Sequence, residues 1–208
     1  MVKRFVRVYI EGGAKGKTND SDFRRGWKKF LKELHDLARE HGYDALEVVR
    51  GMGRARTFES FVNCRKSHPN DLCVLLVDAE MAVRQGERVW NIVARRPQDN
   101  WQRPCWATER HLYLMVPFVE TWLLTDIDAL SRFFKRGFNP KGLPATDLEN
   151  RTKDEINRAL AAATNGAYRH GQAHAIIEIV RPERVKRLTH GGRLFDDLGS
   201  LIKGEREV

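Results

Sequence analysis

Three acidic side chains follow two apolar runs of the sequence. Glu11 comes directly after the alternating run at residues 4–10, RFVRVYI. Asp78 and Glu80 come directly after the continuous apolar run at residues 72–77. Both runs are typical of strands, the second of a strand buried on both faces. Sites of open parallel sheets lie at the carboxyl ends of strands, so the three carboxylates should converge there if the two strands are neighbours.

Converging carboxylates repel one another unless a cation lies among them. Oxygen ligands favour Mg²⁺ or Mn²⁺, and such an ion can polarise a phosphate and activate water. We therefore predict a catalytic and metal-binding site formed by Glu11, Asp78 and Glu80. Gly12 and Gly13 are expected to supply the backbone turn at this site. The alternative is that the acids are solvated at strand ends or cap the helices that follow.

The glycines after Glu11 also resemble part of a phosphate-binding P-loop. Gly16-Lys17-Thr18 matches the end of that motif, but Glu11 stands where the motif requires its first glycine. A carboxylate at that position would repel the phosphates, and residues 18–21 indicate loop where the motif requires a helix. A degenerate P-loop NTPase is therefore an alternative that the spacing disfavours.

Hydrophobic periodicity indicates the elements that must position these acids. The sequence predicts strands at 4–10, 45–50, 72–77 and 111–116, and helices at 21–39, 57–65, about 86–95 and 118–134, the last one broken near Thr125. The alternation predicts an α/β fold with a mostly parallel four-stranded sheet flanked by helices.

The remaining sequence divides this fold into a core and an extension. Residues 1–136 are predicted to form the α/β core, with a tryptophan-rich insertion at about 81–109. Residues 137–208 are predicted to be a helical C-terminal extension, which begins with a loop. A capping box at Thr152 opens its first helix, and Gly191-Gly192 should interrupt the last one.

The composition indicates an anionic partner. The chain has a formal net charge of +9 and a pI near 9.7, which favours nucleic acid binding. The expected nucleic-acid-binding residues are Arg25, Lys28, Arg54, Arg56 and Arg169. For Arg25 and Lys28, in the first turns of the first helix, a solvated helix face is the alternative. Trp90, Trp101 and Trp106 could stack on bases, although tryptophans more often cover the edge of a core. His170 has no partner in the sequence pattern, which favours loop packing or phosphate contact.

No apolar stretch is long enough for a membrane span or a signal peptide, so a cytoplasmic protein is expected. The three cysteines, Cys64, Cys73 and Cys105, lack metal-ligand spacing and are expected to be reduced thiols.

Glu120 and Asp126 follow the fourth strand. Their spacing does not place them on one helical face, so at most one should join the site, and Glu120 is favoured as a further metal ligand.

The motifs VYIEGG and VLLVDAE resemble the TOPRIM arrangement, in which a glutamate follows the first strand and D-x-D follows the third. Here D-x-E replaces D-x-D, which retains the charge and lengthens one ligand arm. TOPRIM domains serve in topoisomerases, primases and OLD-family nucleases. More closely, the chain resembles a bacterial TOPRIM-like family of unknown function, often encoded beside AAA-type (OLD-like) ATPases in phage-defence gene sets. The matching segments are EGG, FRRGWKKFL, LLVDAE, LMVPFVETWLLTD and AAATNGAYRHGQA.

This resemblance implies a TOPRIM-like (Rossmann-like) fold and a Mg²⁺-dependent nuclease that cleaves DNA or RNA by two-metal hydrolysis, with structured RNA such as tRNA among the substrates. It implies that Asp78 and Glu80 hold Mg²⁺ and that Glu11 is the general acid/base or a second metal ligand. The protein would be the effector of a two-component anti-phage system with an AAA-type ATPase partner, and a homodimer is compatible with it. The competing interpretation is a non-catalytic adaptor or regulatory subunit of the ATPase.

Overall fold

The computed structural model describes residues 2–12, 20–84 and 86–205. Within these ranges the strands are β1 (Phe5–Gly12), β2 (Ala45–Met52), β3 (Leu72–Asp78) and β4 (Leu112–Met115). The helices are α1 (Asp20–Phe30), α2 (Lys32–Glu40), α3 (Arg54–Ser67), α4 (Val89–Arg95), α5 (Val119–Leu124), α6 (Ile127–Phe134), α7 (Lys153–Ala163), α8 (Ala173–Ile177), α9 (Pro182–Val185) and α10 (Thr189–Ile202).

The strands form one parallel sheet in the order β2-β1-β3-β4. β1 and β3 are therefore neighbours, which is the condition on which convergence of the acidic residues depends. The five middle residues of β3 are buried, as expected for a strand covered on both faces. The predicted α/β fold with a four-stranded parallel sheet flanked by helices is confirmed.

Two hydrophobic layers cover the sheet, and successive residues of β1 face opposite layers. Val8 and Ile10 belong to the layer that contains α1, α2 and α5. Tyr9 belongs to the layer that contains α3 and α4. The C-terminal helices complete the first layer, because Ile156 of α7 and Leu198 of α10 are buried in the same cluster as the β1 side chains. The core therefore continues across the predicted boundary at residue 136.

Three helical regions differ from the prediction. The helix expected at 21–39 is two helices that meet at Leu31. α3 begins at Arg54, three residues before the expected cap at Thr57, and follows Gly53, whose φ of 89° favours glycine. The earlier start matters for the site, because it places Arg54 in the first turn of α3.

The third difference is that α10 continues through Gly191-Gly192, where a break was expected. A Cβ added at Gly191 would lie 2.3 Å from the carbonyl oxygen of Val185. The glycine is therefore required for close approach of α10 to the end of α9, and the expectation of a helix break is wrong.

The tryptophan-rich insertion covers one edge of the core. Trp90 and Trp101 are buried in the second layer, and Trp106 packs against it while partly exposed. Trp101 stacks on Phe58 of α3 with ring centroids 4.3 Å apart. These contacts support the core-edge role over base stacking.

Two of the three cysteines are joined in a disulfide. Cys64 of α3 and Cys73 of β3 are both buried and form the bridge, and Cys105 is an exposed free thiol. The expectation of three reduced thiols is wrong for this pair, because α3 packs on β3 with the two side chains facing each other. No helix of the described ranges is long and apolar enough to cross a membrane.

Candidate active site

The carboxyl ends of β1 and β3 meet at one edge of the sheet. Glu11 is the penultimate residue of β1, and Asp78 is the last residue of β3. The two strands pair in parallel with Ile10 opposite Leu76, so the acidic residues that follow them lie at neighbouring positions along the edge. This is the arrangement that the sequence predicted for these two carboxylates.

Asp78 is bound to the start of α5. Its Oδ1 accepts a hydrogen bond of 2.9 Å from the backbone N–H of Val119, the first residue of that helix. The positive end of the helix dipole favours a carboxylate at this place. Glu120 follows Val119 in the first turn of α5. The hydrogen bond between Asp78 and Val119 therefore brings a fourth acid to the site.

Glu80 lies two residues beyond β3 in a left-handed conformation, with a φ of 66°. Its backbone N–H donates to the carbonyl oxygen of Pro117 at 2.8 Å, which fixes the turn against the segment that follows β4. Its Oε2 accepts a hydrogen bond of 2.7 Å from Nζ of Lys153. Lys153 is the first residue of α7, so the C-terminal extension supplies a cation to this edge of the sheet.

Glu120 is fully buried, with 0% of its surface exposed. Its Oε1 accepts a hydrogen bond of 2.6 Å from the Tyr168 hydroxyl and contacts Nδ1 of His170. Its Oε2 is buried without a hydrogen-bond partner among the described residues. Asp126 serves elsewhere: it caps α6 and binds Arg181. Of the two acids after β4, Glu120 is therefore the one that joins the site.

The four carboxylates influence one another. Burial raises the pKa of Asp78 well above its ordinary value, and the charges of three other carboxylates raise it further. Those carboxylates belong to Glu11, Glu120 and Glu80. Burial also raises the pKa of Glu11, although the Arg54 guanidinium opposes this shift. The site therefore concentrates negative charge around one poorly solvated aspartate.

Protein cations partly balance this charge. Arg54 binds Glu11, Lys153 binds Glu80, and His170 contacts Glu120. With the carboxylates turned toward these partners, no group of three or more His, Cys, Asp or Glu side chains within the described ranges is arranged to hold a metal ion.

The chemistry of the remaining acceptors nevertheless suits a divalent ion. Glu120 presents a buried oxygen without a hydrogen-bond partner among the described residues, and Asp78 is a half-buried carboxylate whose ionised form is disfavoured by its neighbours. A hard cation would relieve both conditions, since Mg²⁺ and Mn²⁺ prefer oxygen ligands. Asp78, Glu80 and Glu120 are the residues that could hold it, after Glu80 turns from Lys153.

The predicted basic residues occupy different positions. Arg54 is inside the site, with a side chain only 11% exposed. Arg25 is exposed on α1 and forms ion pairs with acids on α1 and after α8. Lys28 and Arg56 are exposed on α1 and α3, and Arg169 is exposed in the loop beside His170. The structure thus brings one of the five basic residues into contact with the acidic cluster.

Gly12 is the last residue of β1 and pairs with Met52. A Cβ added to Gly12 would lie 2.6 Å from Cγ of Arg50, so this position favours glycine by close approach of a neighbouring strand. Gly13 and the P-loop-like Gly16-Lys17-Thr18 lie outside the described residues.

Sequence reasoning missed three partners of the acids. Lys153 follows a correctly predicted capping box, which the structure confirms at Thr152, but nothing in the pattern connects it with Glu80. His170 was expected to lack a partner, and Glu120 provides one from fifty residues away. Tyr168 adds a second donor to the same carboxylate. Only the fold brings these segments together.

The contact between His170 and Glu120 has a measurable consequence. The carboxylate raises the pKa of His170 above its ordinary value of 6.5. In a Glu120→Gln variant we expect this pKa to fall toward or below 6.5, because the negative partner is gone while partial burial remains. A titration of the histidine ring signals by NMR, assigned with His170→Gln, measures the change. Tyr168→Phe is the control, because it leaves the carboxylate in place, and an unchanged titration in Glu120→Gln would contradict the contact.

Comparison with known protein families matches residues 14–198 to the family described as "Domain of unknown function (DUF4276)". The match spans most of the chain, so the chain belongs to this family. Asp78, Glu80 and Glu120 lie within the matched residues, and Glu11 lies just before them. No curated protein and no solved structure matches the chain.

Proposed function

We propose that this member of the DUF4276 family is a Mg²⁺-dependent nuclease that cleaves phosphodiester bonds of DNA or RNA. The observation that carries the proposal is the convergence of four carboxylates, those of Glu11, Asp78, Glu80 and Glu120, at the carboxyl edge of a parallel sheet, where the pKa of the half-buried Asp78 is raised by desolvation and by the other three charges. Charge of this kind is unfavourable without a cation and is typical of functional sites. The resemblance to TOPRIM motifs and the net charge of +9 agree with an anionic substrate.

In this proposal Asp78 and Glu80 hold Mg²⁺, with Glu120 as a further ligand from α5. Mg²⁺ bound there would polarise the phosphate and lower the pKa of a water molecule. Glu11 lies beside this position and is suited to accept the proton of the attacking water, because burial raises its pKa and makes it a stronger base. Arg54 keeps the Glu11 carboxylate oriented through a hydrogen bond of 2.9 Å.

Two cationic side chains are placed to contact the substrate. Lys153 lies beside Glu80 and lines a cavity of about 360 Å³ with Pro117 and Arg151. We propose that this cavity admits the phosphate, with Lys153 binding a non-bridging oxygen after it leaves Glu80. His170 is 70% exposed, and Glu120 holds its Nδ1, so its other ring nitrogen is available to donate a proton to the leaving oxygen when the P–O bond breaks.

The test uses purified protein with plasmid DNA, single-stranded DNA and total tRNA, each with Mg²⁺, with Mn²⁺ and with EDTA. We expect cleavage of at least one substrate that requires the divalent ion. The substrate that is cleaved identifies the polymer, and the end chemistry of the products shows which P–O bond breaks. Cleavage that persists in EDTA would contradict the metal requirement.

The adaptor is the second candidate, and a specific observation favours it: Glu11, Glu80 and Glu120 each already have a cationic partner within the described part of the protein. Such a network can be purely structural. We propose, on the resemblance alone, that an AAA-type ATPase is the partner in a cytoplasmic anti-phage system. A chain that stays inert on every substrate with the triggered ATPase present, while still binding it, would establish the adaptor function.

A further inference from the structure

We infer that Arg54, held by Asp99, is a built-in cation that takes the place of a second metal ion at Glu11, so that the site accepts a single divalent ion. This inference rests on the proposed function and replaces the two-metal hydrolysis expected from the sequence. Asp99 is then a positioning residue that acts through Arg54.

The Arg54 guanidinium is surrounded by oxygen atoms. Nη1 donates to Oε2 of Glu11 at 2.9 Å and to the backbone carbonyl of Asp78 at 2.6 Å. Nε donates to the Asp99 carboxylate at 2.9 and 2.8 Å. Two carboxylates and a carbonyl are the ligand types that hard divalent ions bind. The guanidinium therefore fills a position that would otherwise suit Mg²⁺ or Mn²⁺.

The guanidinium is fixed in this position. The Asp99 side chain is 3% exposed and also binds Arg96 at 2.6 Å. The Trp101 ring lies against the guanidinium, with its centroid 4.7 Å from the Arg54 Cζ. A planar donor group that is held by a carboxylate and stacked on an aromatic ring has little freedom to leave.

Arg54 is less exposed than Lys153 and His170, the other two cations that contact these carboxylates. Lys153 and His170 are both more exposed, at 32% and 70%, so each can turn away when a metal ion or substrate enters. Arg54 is 11% exposed and is bound from both sides. An ion can therefore displace Lys153 from Glu80, whereas the Glu11 side of the cluster keeps its protein cation.

The tryptophan-rich insertion holds Arg54 in place. Asp99 and Trp101 both belong to the segment at 81–109, and both contact Arg54. The insertion thus covers a core edge and at the same time holds the cation that neutralises Glu11. Removal of the Asp99 carboxylate should loosen Arg54 without removing any group that faces substrate.

The experiment counts Mn²⁺ ions bound per chain, by electron paramagnetic resonance of free Mn²⁺ and by calorimetry, in the wild type and in Arg54→Met, Arg54→Lys and Glu11→Gln/Arg54→Met. We expect one ion in the wild type and in Arg54→Lys, which keeps the charge. We expect one additional ion in Arg54→Met, and its loss in the double variant, because Glu11 is its ligand. Arg54→Gln replaces Arg54→Met if circular dichroism shows that the latter is unfolded.

A wild-type chain that binds a magnetically coupled pair of Mn²⁺ ions would overturn the inference, and so would a folded Arg54→Met protein that gains no ion. The proposed function fails separately, when the wild type binds no Mn²⁺ at all. In that case a gain of one ion in Arg54→Met still supports the role of Arg54. Asp99→Asn provides a further readout: we expect weak extra Mn²⁺ binding that Glu11→Gln abolishes, and binding unchanged from the wild type would show that Asp99 does not position Arg54.

Discussion

An Asp78→Asn variant is expected to lose metal-dependent cleavage by about 10²–10³-fold, the scale on which one preorganised electrostatic group contributes to a reaction rate. The amide oxygen is an uncharged and weaker ligand for a divalent ion than the carboxylate, while its shape preserves the acceptor for the Val119 N–H. The rate of cleavage of the preferred substrate in Mg²⁺ measures the loss. Asp36→Asn, which changes an exposed acid on α2, is the control and should retain full activity.

The same substitution should stabilise the metal-free protein at neutral pH. The folded-state pKa of Asp78 is raised above 3.8, so the folded chain keeps a proton that the unfolded chain has already lost. Stability therefore falls as the pH rises from about 3.8 toward the folded-state pKa, and Asp78→Asn removes this contribution. Thermal melts from pH 4 to pH 8, with and without Mg²⁺, test the effect. A variant that is less stable than the wild type at pH 7 without metal would show that the other carboxylates do not disfavour the ionised form of Asp78.

Replacement of Trp27 by alanine is expected to reduce the free energy of unfolding by about 3–5 kcal/mol, the usual cost of truncating a buried tryptophan. Trp27 is fully buried on α1, and its ring lies edge-on to Trp122 of α5 with centroids 6.1 Å apart. Its Nε1 donates to Nδ1 of His174 at 3.2 Å. Because a domain is usually stable by only about 5–15 kcal/mol, this single change should leave a marginal protein.

Trp27→Phe separates packing from the hydrogen bond. Burial lowers the pKa of His174 to about 4, so this ring is neutral at pH 7 and its Nδ1 accepts. Without the indole donor the buried acceptor is unsatisfied, which should cost about 1–3 kcal/mol. Urea denaturation of the wild type and both variants gives the comparison. If the free energy of unfolding of Trp27→Ala lies within about 1 kcal/mol of the wild-type value, neighbouring side chains have moved to fill the cavity left by the ring.

The Trp27 contact also bears on the site. His174 lies in α8, which directly follows a short 3₁₀ helix at His170–Gln172, and Tyr168 lies just before that helix. The contact between α1 and α8 therefore supports the segment whose two side chains bind Glu120.

The hydrophobic pattern predicted the sheet because burial and backbone geometry act locally. The apolar run at 72–77 needed two covered faces, and the alternation of strands with helices required parallel crossovers. The capping box at Thr152 is equally local, and the structure reproduces both of its hydrogen bonds. In contrast, the helix expected to break at Gly191 continues, because a packing contact with Val185 decides the use of that glycine.

By itself, the sequence determined that Glu11 and Asp78 end strands and that those strands could lie side by side. The two carboxylates lie at the same edge of the sheet because the two strands run parallel. The choice of Glu120 over Asp126 also follows in part from the sequence, because one helical face cannot present both. These are properties of short segments, where side-chain periodicity and chain direction leave few alternatives.

Only the tertiary structure decided which cations meet the acids. Lys153 of α7 binds Glu80, and His170, just before α8, contacts Glu120. Asp99 of the insertion holds the third cation, Arg54. In each of these pairs the two residues are at least forty positions apart in the sequence. No local propensity encodes such contacts, since a charged side chain at the start of a helix or in a loop is usually solvated. The way in which the C-terminal helices and the insertion close over the sheet therefore determines how the charge of this site is balanced.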